Sequence, residues 1–208
     1  MSLMKLNVNR RDSVPPTVRR LNIQRHHHDS ATSPMTIDEY SQTLLDALID
    51  ELAIAIPRAF TSLSDEFADL CGFAIGTTRL LEFIVPVFQR QRELSSDSGD
   101  FARFFPPEWA VLNSRDRSDT FGDGVETARK RLETHCSAGD YDLRASVSDA
   151  FLGSLLSLLV DLVRNNQLGQ KTNERYLTIW IAGDDLEWII KASERLNTPE
   201  LHQRVLSM

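Results

Sequence analysis

Cysteine and histidine are scarce in this chain, and their scarcity excludes several chemistries. Two cysteines, Cys71 and Cys136, stand in unrelated contexts among 208 residues. There is no CxxC pair and no Cys/His spacing of a zinc site, so neither a structural zinc nor a disulfide framework is expected. Two reduced thiols in a reducing cytoplasm are the expectation. Of five histidines, three form the run His26-His27-His28, which reads as a solvated polar stretch. Only His135 and His202 are left for the rest of the chain, a poor supply for a metal site or a triad. His135 adjoins Cys136, but neighbours on a helix project about 100° apart and cannot form a dyad. GxSxG, P-loop and GxGxxG motifs are missing; Gly72-Phe73-Ala74-Ile75-Gly76 has the wrong spacing. No cofactor is expected.

Long hydrophobic runs are missing too. The longest uncharged run in the most apolar stretch, Ala150 to Val160, has 11 residues. A bilayer span takes about 20, so no membrane association is expected. Positive charge is missing from most of the chain. Residues 1–35 hold six Lys/Arg against two Asp, which leaves 17 basic and 28 acidic side chains for residues 36–208, a net −11. Such a body repels phosphate backbones, which argues against nucleic acid and for a basic protein partner.

What the chain does have is one organising stretch, Asp142 to Arg164. Val147, Phe151, Leu155, Leu158, Leu159 and Leu162 recur with helical period. Leu152, Leu156 and Val163 widen the stripe, so the helix is expected in the core. Gly153, Ser154 and Ser157 are small and would admit a close neighbour. Ahead of it, residues 1–35 read as a disordered basic tail or upstream extension, and Met35 precedes a clean helix start. Thr36-Ile37-Asp38-Glu39 reads as a capping box with Thr36 as N-cap. One long helix to about residue 65 follows, with Pro57 as a kink point. Phe67 to Thr78 reads as a strand with one large-residue face. Leu80 to Phe88 reads as a second, with Pro86 placing it at an edge or strand end; helix is the competing reading.

Further on, Ser95 to Asp100 reads as a loop. In Phe101 to Leu112 the prolines forbid a helix before about Glu108, and Trp109, Val111 and Leu112 suggest a short strand. Asn113 to Gly124 reads as a solvated loop and Val125 to His135 as a helix. Tyr176 to Ala182 is the clearest strand, expected to be central and covered on both faces. Leu186 to Leu196 and a last helix capped by Thr198, with Pro199 at its first position, close the chain. The order predicts one α+β domain over residues 36–208, with a small, mostly antiparallel sheet packed with helices.

Pro107-Glu108-Trp109-Ala110, the helix pair, the strand ending near Asp184-Asp185, and Glu194-Arg195-Leu196-Asn197-Thr198-Pro199-Glu200 together resemble a bacterial family known only as domain of unknown function 4303. The resemblance covers roughly residues 36–206 and implies a single mixed domain. It implies no activity.

Six residues are candidate partner contacts: Glu108, Trp109, Asp184, Asp185, Arg195 and Asn197. Glu108 beside an aromatic surface could act as an acid or base, or pair with Arg195 while Trp109 fills the core. Asp184 and Asp185 could hold a hard cation, or cap the following helix. No catalytic residue is assigned. The expected function is a non-catalytic, immunity-like protein-binding domain of the cytoplasm that acts through an acidic surface. The alternatives are a hydrolase pairing Glu108 with Asp184, and a homo-oligomeric structural protein. Exposure of Phe101, Phe104 and Phe105 would favour the last, which leaves a homodimer open.

Overall fold

Helix α1 (Glu39–Glu66) is capped by Asp38, whose carboxylate accepts from the Ser41 backbone N–H. The computed structural model describes residues 37–208 apart from 95–98, 108, 110–120, 140, 173 and 184–185. Thr36 and the tail lie outside those residues. The cap is nonetheless Asp38 and not Thr36, because Ser41 offers that carboxylate both a backbone and a hydroxyl donor. Leu45, Leu48, Leu52, Ile56, Phe60 and Leu63 form the buried stripe. Pro57 sits inside the helix without ending it. A proline in a helix interior costs about 3 kcal/mol. The buried Phe60 and Leu63 beyond it return about 1.5–3 kcal/mol each.

Strands β1 (Leu70–Thr77) and β2 (Ile84–Arg90) pair antiparallel, so the strand reading of Leu80 to Phe88 holds from Ile84 onward, Leu80 to Phe83 belong to the turn, and the helix reading does not hold. Pro86 lies on β2, an outer strand of the sheet, where its missing N–H is tolerated. A six-residue turn joins the strands. A 3₁₀ turn (Gln91–Glu93) follows β2, then α2 (Gly99–Phe104). That helix contradicts the reading of Phe101 onward as non-helical: it finishes before Pro106, so the prolines end it and do not forbid it. Pro106, Pro107 and Trp109 are themselves helical in backbone, which corrects the strand reading of Trp109. Val111, Leu112 and the loop from Asn113 lie outside the described residues.

Helix α3 (Asp123–Ala138) and α4 (Tyr141–Arg164) pack with α1 into one core. By length and composition α4 could cross a bilayer. Here it buries Val147, Phe151, Leu155, Leu159 and Leu162 in that core. It ends as Asn165-Asn166 foretell: Asn166 takes φ 60°, and the Gln167 N–H reaches back to the Leu162 carbonyl at 2.8 Å.

Strand β3 (Tyr176–Ile181) pairs parallel with β1, giving the order β2-β1-β3. The sheet is mixed, and the protein is a single α+β domain. β3 is an outer strand, not the central one expected. Its apolar composition reflects cover on both faces: β3 is buried throughout, except for the partly exposed Trp180. Helices α5 (Glu187–Leu196) and α6 (Pro199–Leu206) follow. Thr198 caps α6 through its hydroxyl, with Pro199 in the first turn, as read from the sequence.

The two faces of the sheet are unequal. Phe73, Ile75, Leu177, Ile179, Ile181, Ile84 and Phe88 enter the large core with α1 and α4. Gly72, Ala74 and Gly76 line the other face, where Trp109, Tyr176, Phe104, Ile189, Leu201 and Val205 form a second core. A Cβ added at Gly72 would lie 2.8 Å from the Trp109 ring, and one at Gly76 3.0 Å from that of Trp180. The glycines thus make room for the indoles. Gly72→Ala is expected to destabilise by about 1–3 kcal/mol through overpacking. In urea unfolding, Trp109→Leu on the Gly72→Ala background should cost less than Trp109→Leu alone; strictly additive losses would show that the two do not compete for space.

Candidate functional site

The six candidate contacts separate in the structure. Glu108, Asp184 and Asp185 lie outside the described residues. Leu186, not an aspartate, holds the N-cap position of α5, and it makes no side-chain cap. Trp109 is fully buried, donates its indole N–H to the Ala102 carbonyl at 3.0 Å, and meets Tyr176 edge-on. It is a core residue. Phe104 is also fully buried and Phe105 packs on the second core, while Phe101 is 47% exposed. Phe101 packs on the half-buried Phe105 with ring centroids 4.6 Å apart, so the three phenylalanines leave only a small exposed pair and Phe104 contributes nothing to it.

Asn197 is buried and completes the sheet. Its side-chain oxygen accepts from the Leu177 N–H at 2.8 Å, and its NH₂ donates to the Leu177 carbonyl at 2.7 Å. One amide side chain thereby pairs with the edge of β3 that β1 leaves open. Lys171 donates to the Arg195 carbonyl at 2.8 Å and finishes the end of α5. The Arg195 side chain is exposed and lines a groove of about 720 Å³ between α1, α4 and α5. Leu45, Ile49, Ala150, Leu156 and Leu158 supply its apolar lining, beside Gly153, Ser154 and Ser157. Among the described residues the small side chains admit no neighbouring element, for a Cβ at Gly153 would meet nothing within 4 Å.

Three residues that sequence reading did not connect, Asp38, Ser41 and His135, meet at the start of α1. The Ser41 hydroxyl donates to Asp38 at 2.6 Å and lies 2.9 Å from His135 Nε2. This is not a nucleophile. The Ser41 hydroxyl gives its proton to the Asp38 carboxylate, whereas in a triad the serine proton goes to the histidine. Ser41 is also fully buried. Its hydroxyl and backbone N–H hold the Asp38 carboxyl below the usual range.

A cavity of about 110 Å³ lies where the β1–β2 turn meets the end of α3 and the start of α4. Leu81 in that turn has φ 58°, a left-handed conformation that costs a branched residue on the order of 1–3 kcal/mol. Four contacts hold it. The Leu81 side chain is buried in the main core, the Leu81 N–H donates to the Thr78 carbonyl at 3.1 Å, Thr78 Oγ1 accepts from the Glu82 N–H at 2.9 Å, and Arg129 donates to the Leu81 carbonyl. Arg129 is 4% exposed, grips Glu126 with two N–H groups at 2.9 and 2.8 Å, and reaches Glu133 at 2.7 Å. Four of its N–H groups are thereby satisfied, which is what permits a buried guanidinium. Sequence spacing hid it, because Glu126, Arg129 and Glu133 at i, i+3 and i+7 read as a solvated helix face.

Arg79, Glu82, Glu133, Cys136, Arg144, Val147 and Ser148 also line this cavity. Arg144 and Ser148 stand one turn apart on α4, so the same helical period that marks the core places them together. Arg144 closes α3 by donating to the Cys136 and Ser137 carbonyls at 2.8 and 2.7 Å. Both cysteines are buried free thiols. Burial pushes Cys71 up to about 11 and raises Cys136, so neither is a ready thiolate. Among the described residues, no group of three His, Cys, Asp or Glu is placed to hold a metal ion. Comparisons with family models, curated proteins and solved structures find no match.

Two predictions follow from this geometry. Asn197→Leu strands the buried N–H and C=O of Leu177, at about 1–3 kcal/mol per group. Its urea midpoint should fall sharply and the Leu177 amide should lose hydrogen-exchange protection; a wild-type midpoint would contradict the edge-closing role. Glu126 is held near 2, against an ordinary 4.5, chiefly by hydrogen bonds from Arg129. A carboxyl depressed in the folded state stabilises above its unfolded value, and that stability is lost as pH falls from about 4.5 towards 2. Glu126→Gln should therefore lower Tm near neutrality and approach wild type near pH 2; a pH-independent difference in Tm would refute the linkage.

Proposed function

We infer that this chain is a non-catalytic binding protein, of the immunity or antitoxin kind, whose acidic surface engages a basic protein partner. One observation carries the reading. Along α1, Glu39, Asp46 and Asp50 are all exposed, no Lys or Arg occurs between Glu39 and Pro57, and none of the three is ion-paired among the described residues. This row borders the apolar groove: Gln42, which lines it, donates to Asp46 at 2.7 Å. An apolar trough with unneutralised carboxylates along its α1 rim, and Lys191 and Arg195 on its α5 rim, suits an amphipathic helix whose basic flank lies towards α1. Arg195 on the opposite rim is the candidate contact this reading keeps. The reducing cytoplasm it assumes agrees with two buried free thiols. Membership of the 4303 family belongs to the same proposal and rests on the Pro107–Ala110 and Glu194–Glu200 segments.

The test uses the full chain as bait in host lysate at low and high salt, beside two variants. Gly153→Leu fills the groove at a position with open space, and leucine is the better helix former, so stability should hold or rise. Glu39→Gln/Asp46→Asn/Asp50→Asn removes the charge row. A single basic protein is expected on the wild type, released as the Debye length shrinks from about 10 to about 3 Å between 0.1 and 1 M salt. Its association should slow at least about tenfold with the triple variant, since steering acts on the on-rate. Gly153→Leu should abolish capture. Equal capture by all three chains, or none by the wild type, overturns the reading.

A further inference from the structure

We propose that the groove between α1, α4 and α5 selects its helix by both flanks at once. It takes a helix that is basic towards α1 and acidic towards α5, and Lys191 and Arg195 are the residues that impose the second condition. The proposal rests on the reading of this groove as a docking site for a helix, and concerns which helix it accepts. The rims carry opposite charge. Along α1 stand the exposed carboxylates of Glu39, Asp46 and Asp50. On the α5 side the lining takes Lys191 and Arg195, and neither Glu187 nor Glu194 of the same helix. The two cations lie at i and i+4, so they share one helix face and form a continuous basic edge.

Both cations are exposed, and neither is ion-paired among the described residues. Lys191 Nζ lies 4.2 Å from the centroid of the Trp188 ring, a contact that restrains the side chain without neutralising it. The floor between the rims adds no free charge. From Ala150 to Leu158 the lining residues of α4 are uncharged, and Asp161 at its end pairs with Arg164 at 2.9 Å. A helix basic on both flanks would satisfy α1 and set its other flank against Lys191 and Arg195. A helix acidic on both flanks would be repelled by α1. Opposite flanks satisfy both rims. Turning a helix end for end exchanges its flanks, so the accepted helix lies in one direction only. Exposed ion pairs add little affinity each, and it is the juxtaposition of like charges that excludes the wrong partner.

The experiment is fluorescence anisotropy on the full chain at low salt, with three stapled helical peptides of about 18 residues, or five turns, that share one leucine stripe. The first has lysines on one flank and glutamates on the other, the second lysines on both, the third glutamates on both. The mixed peptide is expected to bind at least about tenfold tighter than either of the others. Lys191→Glu/Arg195→Glu changes two exposed side chains, so Tm should stay near wild type, while the order of affinity inverts and the all-lysine peptide becomes the tightest. Gly153→Leu should abolish binding of the mixed peptide. Equal affinity of the mixed and all-lysine peptides for the wild type, an unchanged order in the double variant, undiminished binding to Gly153→Leu, or no binding of any peptide overturns the proposal. The two readings fail separately. Capture of a basic protein from lysate, lost in Gly153→Leu, keeps the docking reading even where the mixed peptide shows no preference. A mixed peptide bound in the expected order, with nothing captured from lysate, keeps the flank selection and removes the basic partner.

Discussion

β1 has a neighbouring strand on each side and a hydrophobic core on each face, and the rest of the fold is arranged around what its alternating residues allow. Phe73 and Ile75 point one way and are 2% and 0% exposed. Gly72, Ala74 and Gly76 point the other way and leave a shallow bay that Trp109 and Trp180 fill. Each glycine in a strand costs about 0.5–1 kcal/mol in backbone entropy. A buried indole covers roughly 150–250 Å², worth about 4–6 kcal/mol at ~25 cal/mol per Å². The second core thus outweighs the weakness it imposes on the strand. Tyr176 shows the same balance: burial raises its hydroxyl to about 12, yet the ring packs edge-on against both Phe104 and Trp109.

A three-stranded sheet leaves two outer strands exposed to unwanted pairing. This protein closes them differently. β2 carries Pro86, which removes one donor, and leads into a 3₁₀ turn in which Glu93 accepts from the Arg90 backbone and side chain. β3 cannot carry such a break without losing its apolar faces. Asn197 closes it instead, a side chain standing in for one residue of a fourth strand. That device ties the α5–α6 junction to the sheet, and Lys171 reinforces it by donating to the Arg195 carbonyl.

The sequence made local periodicity legible and left tertiary closure hidden. The α4 stripe, the unequal faces of β1, the Thr198-Pro199 cap and the outer position of Pro86 all follow from spacing within a few residues. The errors share one cause. Trp109 fills the core, as one of its two readings had it, but it also read as a contact and as a strand residue because its receptor, Gly72, is 37 positions away. β3 read as central because an edge strand sealed by Asn197 carries the apolar composition of an interior one. Whether Phe104 is exposed was not legible, because the bay that receives it is formed from β1 and β3. Of the six candidate contacts, Arg195 alone is both described and exposed. The cavity residues were not singled out, since Arg144 and Ser148 gain meaning only when the Leu81 turn is laid over them.

That turn explains why a guanidinium is buried in a helix face. A buried ion pair seldom stabilises more than well-packed apolar side chains of equal volume would. Arg129 with Glu126 and Glu133 is therefore better understood through geometry than through energy. A leucine at 129 could fill the space, but it could not donate to the Leu81 carbonyl. Without that donor, Leu81 at φ 58° would keep its side-chain burial and the two hydrogen bonds to Thr78 but lose the contact that fixes its carbonyl against the backbone strain. The neighbouring carbonyls could then rotate, and Arg79, Glu82 and the roof of the cavity would rotate with them. The charge at 129 fixes one backbone conformation among several. It is that single conformation which gives the cavity beneath it a constant shape.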